Sequence, residues 1–221
     1  MVPWALELLI IFLIILVSMI LHELAHGATA YLLGDDTAKQ EGRLTLNPLK
    51  HLDPVMSFLV PLMFFISGGP IFGGAKPVPI NTRNLKHGAW GMALVALAGP
   101  LTNFILALVA FLIGYFTGGL KIYLDYSFYM TDLWGVICGY FVMVNLGFGI
   151  FNLLPIPPLD GSRLLYAIAP DGVRRVMESM ERWGMMVVLI LVVVFSGVLS
   201  MIMGGAMAAI VRFFFFLVGF R

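Results

Sequence analysis

Long apolar runs restrict the fold of this chain more than any other feature of its sequence. The first covers residues 5–21 and continues to residue 33, and as one helix it measures about 43 Å, enough to cross a bilayer. The sequence therefore predicts an all-α polytopic membrane protein, a helical bundle forming one domain over residues 1–221, with a core at 1–165 and C-terminal helices at 184–220. The later apolar runs lie at 55–72, 90–116, 134–154, 184–203 and 206–220.

Composition and charge exclude several other classes of protein. Hydrophobic residues make up 61% of the chain and charged residues only 11%, whereas soluble domains carry about 25% charged residues. The net charge of +1 gives no basic footprint for nucleic acid. No Lys or Arg precedes the first apolar run, so we expect it to remain as a helix rather than to be removed as a signal peptide.

The run at 55–72 differs from the others because it contains Pro61 and ends in a Ser-Gly-Gly-Pro sequence. If it enters the membrane and returns, the loops 34–54, 73–89 and 155–183 share one face with ten basic residues, and only Lys121 remains opposite. The positive-inside rule favours this re-entrant hairpin over a full crossing, with that face in the cytoplasm. The ten basic residues are Lys39, Arg43, Lys50, Lys76, Arg83, Lys86, Arg163, Arg174, Arg175 and Arg182.

The sequence HELAH at residues 22–26 carries the clearest chemical signal. Residues four apart lie on the same face of a helix, so His22 and His26 are spaced to bind one Zn²⁺ ion. Glu23 lies about 100° around the helix, where a carboxylate acts as a general base toward water in zinc hydrolases. The alternative is a polar patch that hydrogen-bonds neighbouring helices. Ionisable groups are costly in lipid, which favours the functional interpretation.

A third protein ligand is needed, and the sequence offers several candidates. They are His51, His87 and the loop carboxylates, among which Asp160 is best placed because it follows an apolar helix that ends in three prolines. If Asp160 is the third ligand, the metal also tests the topology, since the ends of helices 5–33 and 134–154 then have to share a face. That requirement again favours an even number of crossings for 55–72.

Three motifs together resemble the site-2 protease family of intramembrane zinc metalloproteases. They are HELAH at 22–26, AGPLTNF at 98–104 and NLLPIPPLDG at 152–161. The resemblance implies one Zn²⁺ ion per chain bound by His22, His26 and Asp160, with Glu23 activating water and Asn152 near the substrate. It also implies a compact member without PDZ or CBS domains.

The same resemblance implies that the substrates are transmembrane segments of other proteins in the bilayer, cleaved in regulated intramembrane proteolysis. Such a substrate has to be unwound, and the segments 39–46 and 73–81 are candidate strand edges, the second containing Lys76, Pro77, Val78 and Pro79. A connecting loop is the alternative for both segments. Asn152 is expected to donate a hydrogen bond to the oxyanion or the substrate, or otherwise to bond a neighbouring helix. The competing function is a zinc transporter or sensor that uses the same ligands.

Overall fold

Four apolar helices long enough to cross a bilayer organise the protein, in a computed structural model that describes residues 3–52, 76–123 and 127–219. They are Trp4–Leu32, Gly88–Phe116, Leu133–Asn152 and Ser196–Leu217, and they confirm the prediction of an all-α, multi-pass membrane protein. In chain order the helices are α1 (Trp4–Leu32), α2 (Thr37–Gln40), α3 (Gly88–Phe116), α4 (Leu133–Asn152), α5 (Gly161–Ile168), α6 (Asp171–Trp183), α7 (Met185–Val194) and α8 (Ser196–Leu217).

The first three spanning helices alternate in direction and define two faces of the bundle. The near face is the one at which α1 and α4 end and α3 begins, and the opposite one is the far face. The backbone N–H of Lys86, just before α3, donates to the carbonyl of Leu33, just after α1, at 2.9 Å. Asp160, which follows α4, lies beside the imidazoles of α1. The ends of α1 and α4 therefore share a face, as a common metal site requires.

The C-terminal helices differ from the prediction. We expected helices at 184–203 and 206–220, but the break lies at Phe195, and α8 runs without interruption through Gly204 and Gly205. Glycine is tolerated within membrane helices because no water competes there for the backbone hydrogen bonds. The ten residues of α7 span about 15 Å, which is too short to cross a bilayer.

The predicted re-entrant hairpin at 55–72 lies outside the described residues and stays a prediction. The residues that flank this part of the chain are described, and they meet. The backbone N–H of Lys76 donates to the carbonyl of His51 at 2.8 Å. The described residues on the two sides of this segment therefore lie together on the near face.

The sheet lies elsewhere than the sequence suggested. Strands β1 (Leu120–Ile122) and β2 (Phe128–Met130) pair antiparallel between α3 and α4 on the far face. The candidate strand edge at 39–46 instead begins in α2 and continues through a turn, while 76–80 has no ladder partner among the described residues. The alternation of Arg43, Leu44, Thr45 and Leu46 is overridden by the turn at Gly42, whose φ is +62°.

An apolar core joins α3, α4 and α8. Phe111, near the end of α3, contacts Phe214 and Phe215, near the end of α8, with ring centroids 5.4 and 5.6 Å apart. Because the two C-terminal ends meet, α8 runs from the near face to the far face. The other buried members of this core are Ala107, Leu120, Cys138, Val142, Leu146, Ile150 and Val211.

The topology predicts which positions are accessible from each side of the membrane. In a Cys138→Ser background, cysteines at the exposed positions Arg83 and Arg175 should be labelled by an impermeant thiol reagent from one side, and a cysteine at Tyr129 only from the other. Labelling of positions 83 and 129 from the same side would contradict the arrangement of α3.

Candidate metal centre

The side chains of His22, His26 and Asp160 come from two distant parts of the chain and lie together close to the near face of the bundle. The Nε2 atoms of His22 and His26 are 3.0 Å apart, and the Oδ2 atom of Asp160 lies 3.2 Å from the first and 3.3 Å from the second. Both imidazoles are buried. Among the described residues, this is the one group of three such side chains able to share a metal ion.

Hydrogen bonds fix the tautomer of both imidazoles. The Nδ1 atom of His26 lies 2.7 Å from the carbonyl oxygen of Val95, and that of His22 lies 2.6 Å from the Oδ1 atom of Asn103. Both partners accept, so each neutral ring carries its proton on Nδ1 and directs a lone pair from Nε2 toward the other ring and Asp160.

This donor set fits a zinc ion. Ligands about 2.0–2.1 Å from a tetrahedral Zn²⁺ are about 3.3 Å from one another, close to the three separations observed. The buried Oδ2 atom of Asp160 has no hydrogen-bond partner among the described residues, although a buried carboxylate oxygen normally has one. Three converging lone pairs repel one another unless a cation lies between them, and three protein ligands leave a fourth position for water or substrate.

A chain of polar side chains supports His22 from inside the bundle. Asn103 on α3 donates from Nδ2 to the Oδ1 atom of Asn145 on α4 at 2.8 Å, and Asn145 donates to the hydroxyl of Ser18 on α1 at 2.9 Å. All three residues are fully buried. The chain links the three helices that surround the metal site and orients one of its imidazoles, as second-shell partners of metal ligands do.

The middle helix approaches the imidazoles closely at Gly99, which is followed by Pro100. A Cβ atom at position 99 would lie 2.5 Å from ring atoms of His26 and 2.6 Å from the Cε1 atom of His22. Pro100 lies within α3 and has no N–H to donate to the carbonyl of Ala96, one turn earlier. Ala96 lines the cleft in front of the metal ligands.

Glu23 lies in the same cleft, and its carboxylate accepts a hydrogen bond from the backbone of the segment that precedes α3. Its Oε2 atom accepts a hydrogen bond of 2.8 Å from the backbone N–H of Val78. Residues 76–81, here called the strap, follow α1 closely at this point, since a Cβ atom at Gly27 would lie 2.9 Å from the Cγ1 atom of Val78. The general base predicted from the sequence is thus held by backbone 55 residues away.

Two further groups hold the strap. The Nη2 atom of Arg43 donates to the carbonyl of Lys76 at 2.9 Å, and Asp35 accepts from the backbone N–H of Asn81 at 2.7 Å. Desolvation acts to raise the pKa of Asp35, but hydrogen bonds from Thr37, Asn81 and Asn84 outweigh it and hold that pKa below its usual value. Asp35 is therefore an ionised anchor for the strap at neutral pH.

The cleft has a volume of about 380 Å³ and contains most of the predicted site residues. Asn152 lines it, and its Nδ2 atom also donates to the carbonyl of Phe148 in its own helix at 3.1 Å. Arg163 on α5 lines the cleft as well. Of the four predicted strap residues, Pro77 and Val78 line the cleft, whereas Lys76 and Pro79 do not.

The other histidines do not join the metal ligands. His51 is fully buried and its Nε2 atom donates to the carbonyl of Thr45 at 2.7 Å, so it belongs to a hydrogen-bonded loop. Its neighbour Asp53 lies outside the described residues. His87 precedes α3 on the exposed surface.

Sequence reasoning missed the residues that hold the ligands and the base. Asn103 lies within the AGPLTNF motif, but the motif alone predicted no contact or function for it. A buried Asn or Ser in an apolar helix signals an interhelical hydrogen bond, and this signal was available for Asn145 and Ser18. The roles of Arg43 and Asp35 depend on contacts with the strap that no local pattern encodes.

Comparison with known proteins agrees with this chemistry. The family model "Peptidase family M50" matches residues 127–195. A Bacillus subtilis protein named "Putative zinc metalloprotease YwhC" is 41% identical over 181 residues, which cover 81% of this chain and 78% of that protein. Rip2 of Mycolicibacterium smegmatis, named in the same words, is 31% identical over 80% of this chain and 64% of its own length. No solved structure matches.

The support given to His22 can be tested at Asn103. Asn103→Leu should weaken zinc binding about 10- to 100-fold. It removes the acceptor of the His22 Nδ1–H and leaves the Oδ1 atom of Asn145 without a donor. Zinc content after dialysis against a graded chelator measures the effect. Leu101→Ala, at an exposed position of the same helix, is the matched control. Equal zinc retention in both variants would show that Asn103 does not support the site.

Proposed function

The chain belongs to peptidase family M50 and is a zinc metalloprotease, and on this premise we propose that it hydrolyses peptide bonds within or beside transmembrane segments of other membrane proteins. The observation that carries the proposal is the position of the site. His22, Glu23 and His26 lie within a helix long enough to span the bilayer, and the cleft they line opens among apolar helices.

We assign His22, His26 and Asp160 as the zinc ligands. Their spacing, their tautomers and the unpartnered Asp160 oxygen support this assignment. When bound, zinc supplies Lewis-acid chemistry, activating water near neutral pH and polarising a carbonyl group. The protein's own part is to fix the ligand geometry and to admit water to an apolar bundle.

Glu23 acts as the general base and then as the acid. Its carboxylate takes a proton from the attacking water and passes it to the leaving amine as the peptide bond breaks. The hydrogen bond from Val78 holds one carboxylate oxygen, so the other is left for this transfer. Asn152 lines the same cleft, and its amide has a second N–H with which to stabilise the developing oxyanion or the substrate backbone.

The strap presents backbone to an unwound substrate. A helix in lipid has all its backbone groups paired internally, so a protease has to offer replacement hydrogen bonds. The strap residues Lys76, Pro77, Val78 and Pro79 have no ladder partner among the described residues, and each proline favours extended backbone at the residue before it. Next to them, the N–H of Ile80 has no hydrogen-bond partner within the described part of the chain, and Ile80 lines the cleft. A substrate strand adds to this edge by main-chain pairing.

Basic residues support an orientation with the cleft near the cytoplasm of the cell membrane. The loops of the near face carry Lys and Arg, whereas Lys121 lies in β1 on the far face. Positive loops are retained in the cytoplasm. The protein then acts on substrate segments close to the cytoplasmic boundary.

Glu23→Gln separates catalysis from metal binding. The variant should retain stoichiometric zinc but lose hydrolysis of a helical transmembrane peptide by at least about 100-fold, since general base catalysis contributes on that scale. His22→Ala is the matched control and should lose zinc as well as activity. Undiminished hydrolysis by Glu23→Gln would contradict the role of the base. A wild-type protein that binds zinc but cleaves no membrane peptide would favour a transporter or sensor.

Ile80→Pro tests the strap because it removes one N–H while keeping an extended backbone. With one main-chain hydrogen bond lost, kcat/KM for a transmembrane peptide should fall about tenfold. Ile80→Ala keeps the N–H and serves as the control for loss of the side chain. Equal values of kcat/KM for the two variants, at equal zinc content, would contradict strand addition at this edge.

A further inference from the structure

Helix α6 (Asp171–Trp183) has the most strongly divided surface of the helices described. At about 100° per residue, its large apolar side chains fall within an arc about 120° wide. Arg, Asp, Glu and Ser occupy the remainder of the helix surface. The apolar arc consists of Val173, Val176, Met177, Met180 and Trp183.

The helix contacts the rest of the protein mainly through polar groups rather than through this arc. Glu181 pairs with both terminal nitrogens of Arg163 on α5, the Nη1–Oε2 distance being 3.1 Å. Glu178 accepts from the hydroxyl of Tyr166 at 2.7 Å, and Arg174 donates from Nε to the carbonyl of Tyr166 at 3.0 Å. In a soluble protein the apolar face of such a helix would pack inward, so α6 has the opposite orientation.

Most of the apolar arc is consequently exposed. Val173 is 42% exposed, Val176 59% and Trp183 68%, and among the large side chains of the arc only Met177 is buried. Ile168, which ends α5, is 67% exposed on the same part of the chain. An apolar surface of this kind is stable only against another apolar phase.

Two features of the residues that adjoin α6 identify this apolar phase as the lipid. Only Gly184 separates α6 from α7, whose ten residues are all apolar and include the exposed Met186, Ile190 and Val194. The apolar arc of α6 is thus followed directly along the chain by an apolar helix with exposed side chains. Trp183 lies at the junction, where a tryptophan suits a boundary between lipid and water.

We infer that α6 lies flat in the lipid–water interface on the near face, with Val173, Val176, Met180 and Trp183 among the acyl chains and Arg175, Ser179 and Arg182 in water. The partner of the apolar arc is the bilayer itself. Helices with one apolar and one charged face bind membranes in this way, sinking about 5–10 Å below the headgroup boundary.

This placement bears on the cleft because of the ion pair between Glu181 and Arg163. Arg163 lines the cleft and its backbone N–H donates to the carbonyl of Asp160 at 2.9 Å. A helix seated in the interface therefore holds one wall of the cleft at a fixed depth in the membrane. The inference about α6 itself rests on burial and charge and does not depend on the proposed cleavage.

Spin labels on the full-length protein in phospholipid vesicles test the inference. Single cysteines are introduced in a Cys138→Ser background by Val173→Cys, Val176→Cys and Met180→Cys on the apolar arc. Arg175→Cys, Ser179→Cys and Arg182→Cys are the matched controls on the polar arc. Collision with oxygen, which partitions into lipid, and with a water-soluble nickel chelate measures the depth of each label. Ala208→Cys, exposed near the middle of α8, is the reference within the acyl chains.

We expect the ratio of oxygen to nickel accessibility to be high at 173, 176 and 180 and to reverse at 175, 179 and 182, with depths shallower than at 208. Only proteins that retain zinc are compared, so misfolded variants do not contribute. High nickel accessibility at all six positions would overturn the inference in favour of a solvated helix. Exclusion of both reagents from the apolar arc would overturn it in favour of cover by protein, including a second copy. Depths equal to that at 208 would overturn it in favour of a membrane-embedded α6.

Discussion

The lone pairs of His22, His26 and Asp160 point to one centre inside an apolar bundle, and the rest of the near face is built around that convergence. Separations of 3.0 to 3.3 Å between three acceptor atoms are unfavourable without a cation. The surroundings reinforce the arrangement, because Val95 and Asn103 accept from the outer nitrogens and keep the lone pairs directed inward. Water cannot replace a lost partner in lipid, so the hydrogen bonds to Val95 and Asn103 fix the orientation of the two imidazoles.

The middle-helix motif gains a physical meaning from this geometry. Gly99 lets the backbone of α3 reach the imidazole rings, Pro100 interrupts the backbone ladder beside the cleft, and Asn103 reaches His22 one turn from Gly99. These three residues lie on one stretch of helix because the contacts they make lie on one side of the metal ligands. Asn103 then continues the polar chain to Asn145, so that α1, α3 and α4 are joined by hydrogen bonds where apolar packing alone would specify little.

The sequence predicted those features that depend on local periodicity or on the end of a helix. The spacing of His22 and His26 follows from the helical repeat, and the choice of Asp160 follows from its place after an apolar helix that ends in three prolines. Contacts that require helix rotation or long separations along the chain were not accessible. The Asn103 network depends on the rotation of three helices, and the Val78–Glu23 hydrogen bond joins residues 55 apart. The helix break at Phe195 has only the single Gly197 near it, whereas the pair Gly204 and Gly205 suggested a break that does not occur.

The catalytic chemistry takes place within the bundle, but its geometry is held from the membrane boundary. Glu23 is fixed by Val78 of the strap, and the strap is fixed in turn by Asp35 and Arg43. The other side of the cleft is fixed by Arg163, whose carboxylate partner lies on α6. Both supports use charged groups, which are stable only where water is close. A zinc site placed deeper in the bilayer would lack these anchors, so the position of the site near one face follows from the need to hold a base and a cleft wall as well as from the need for water.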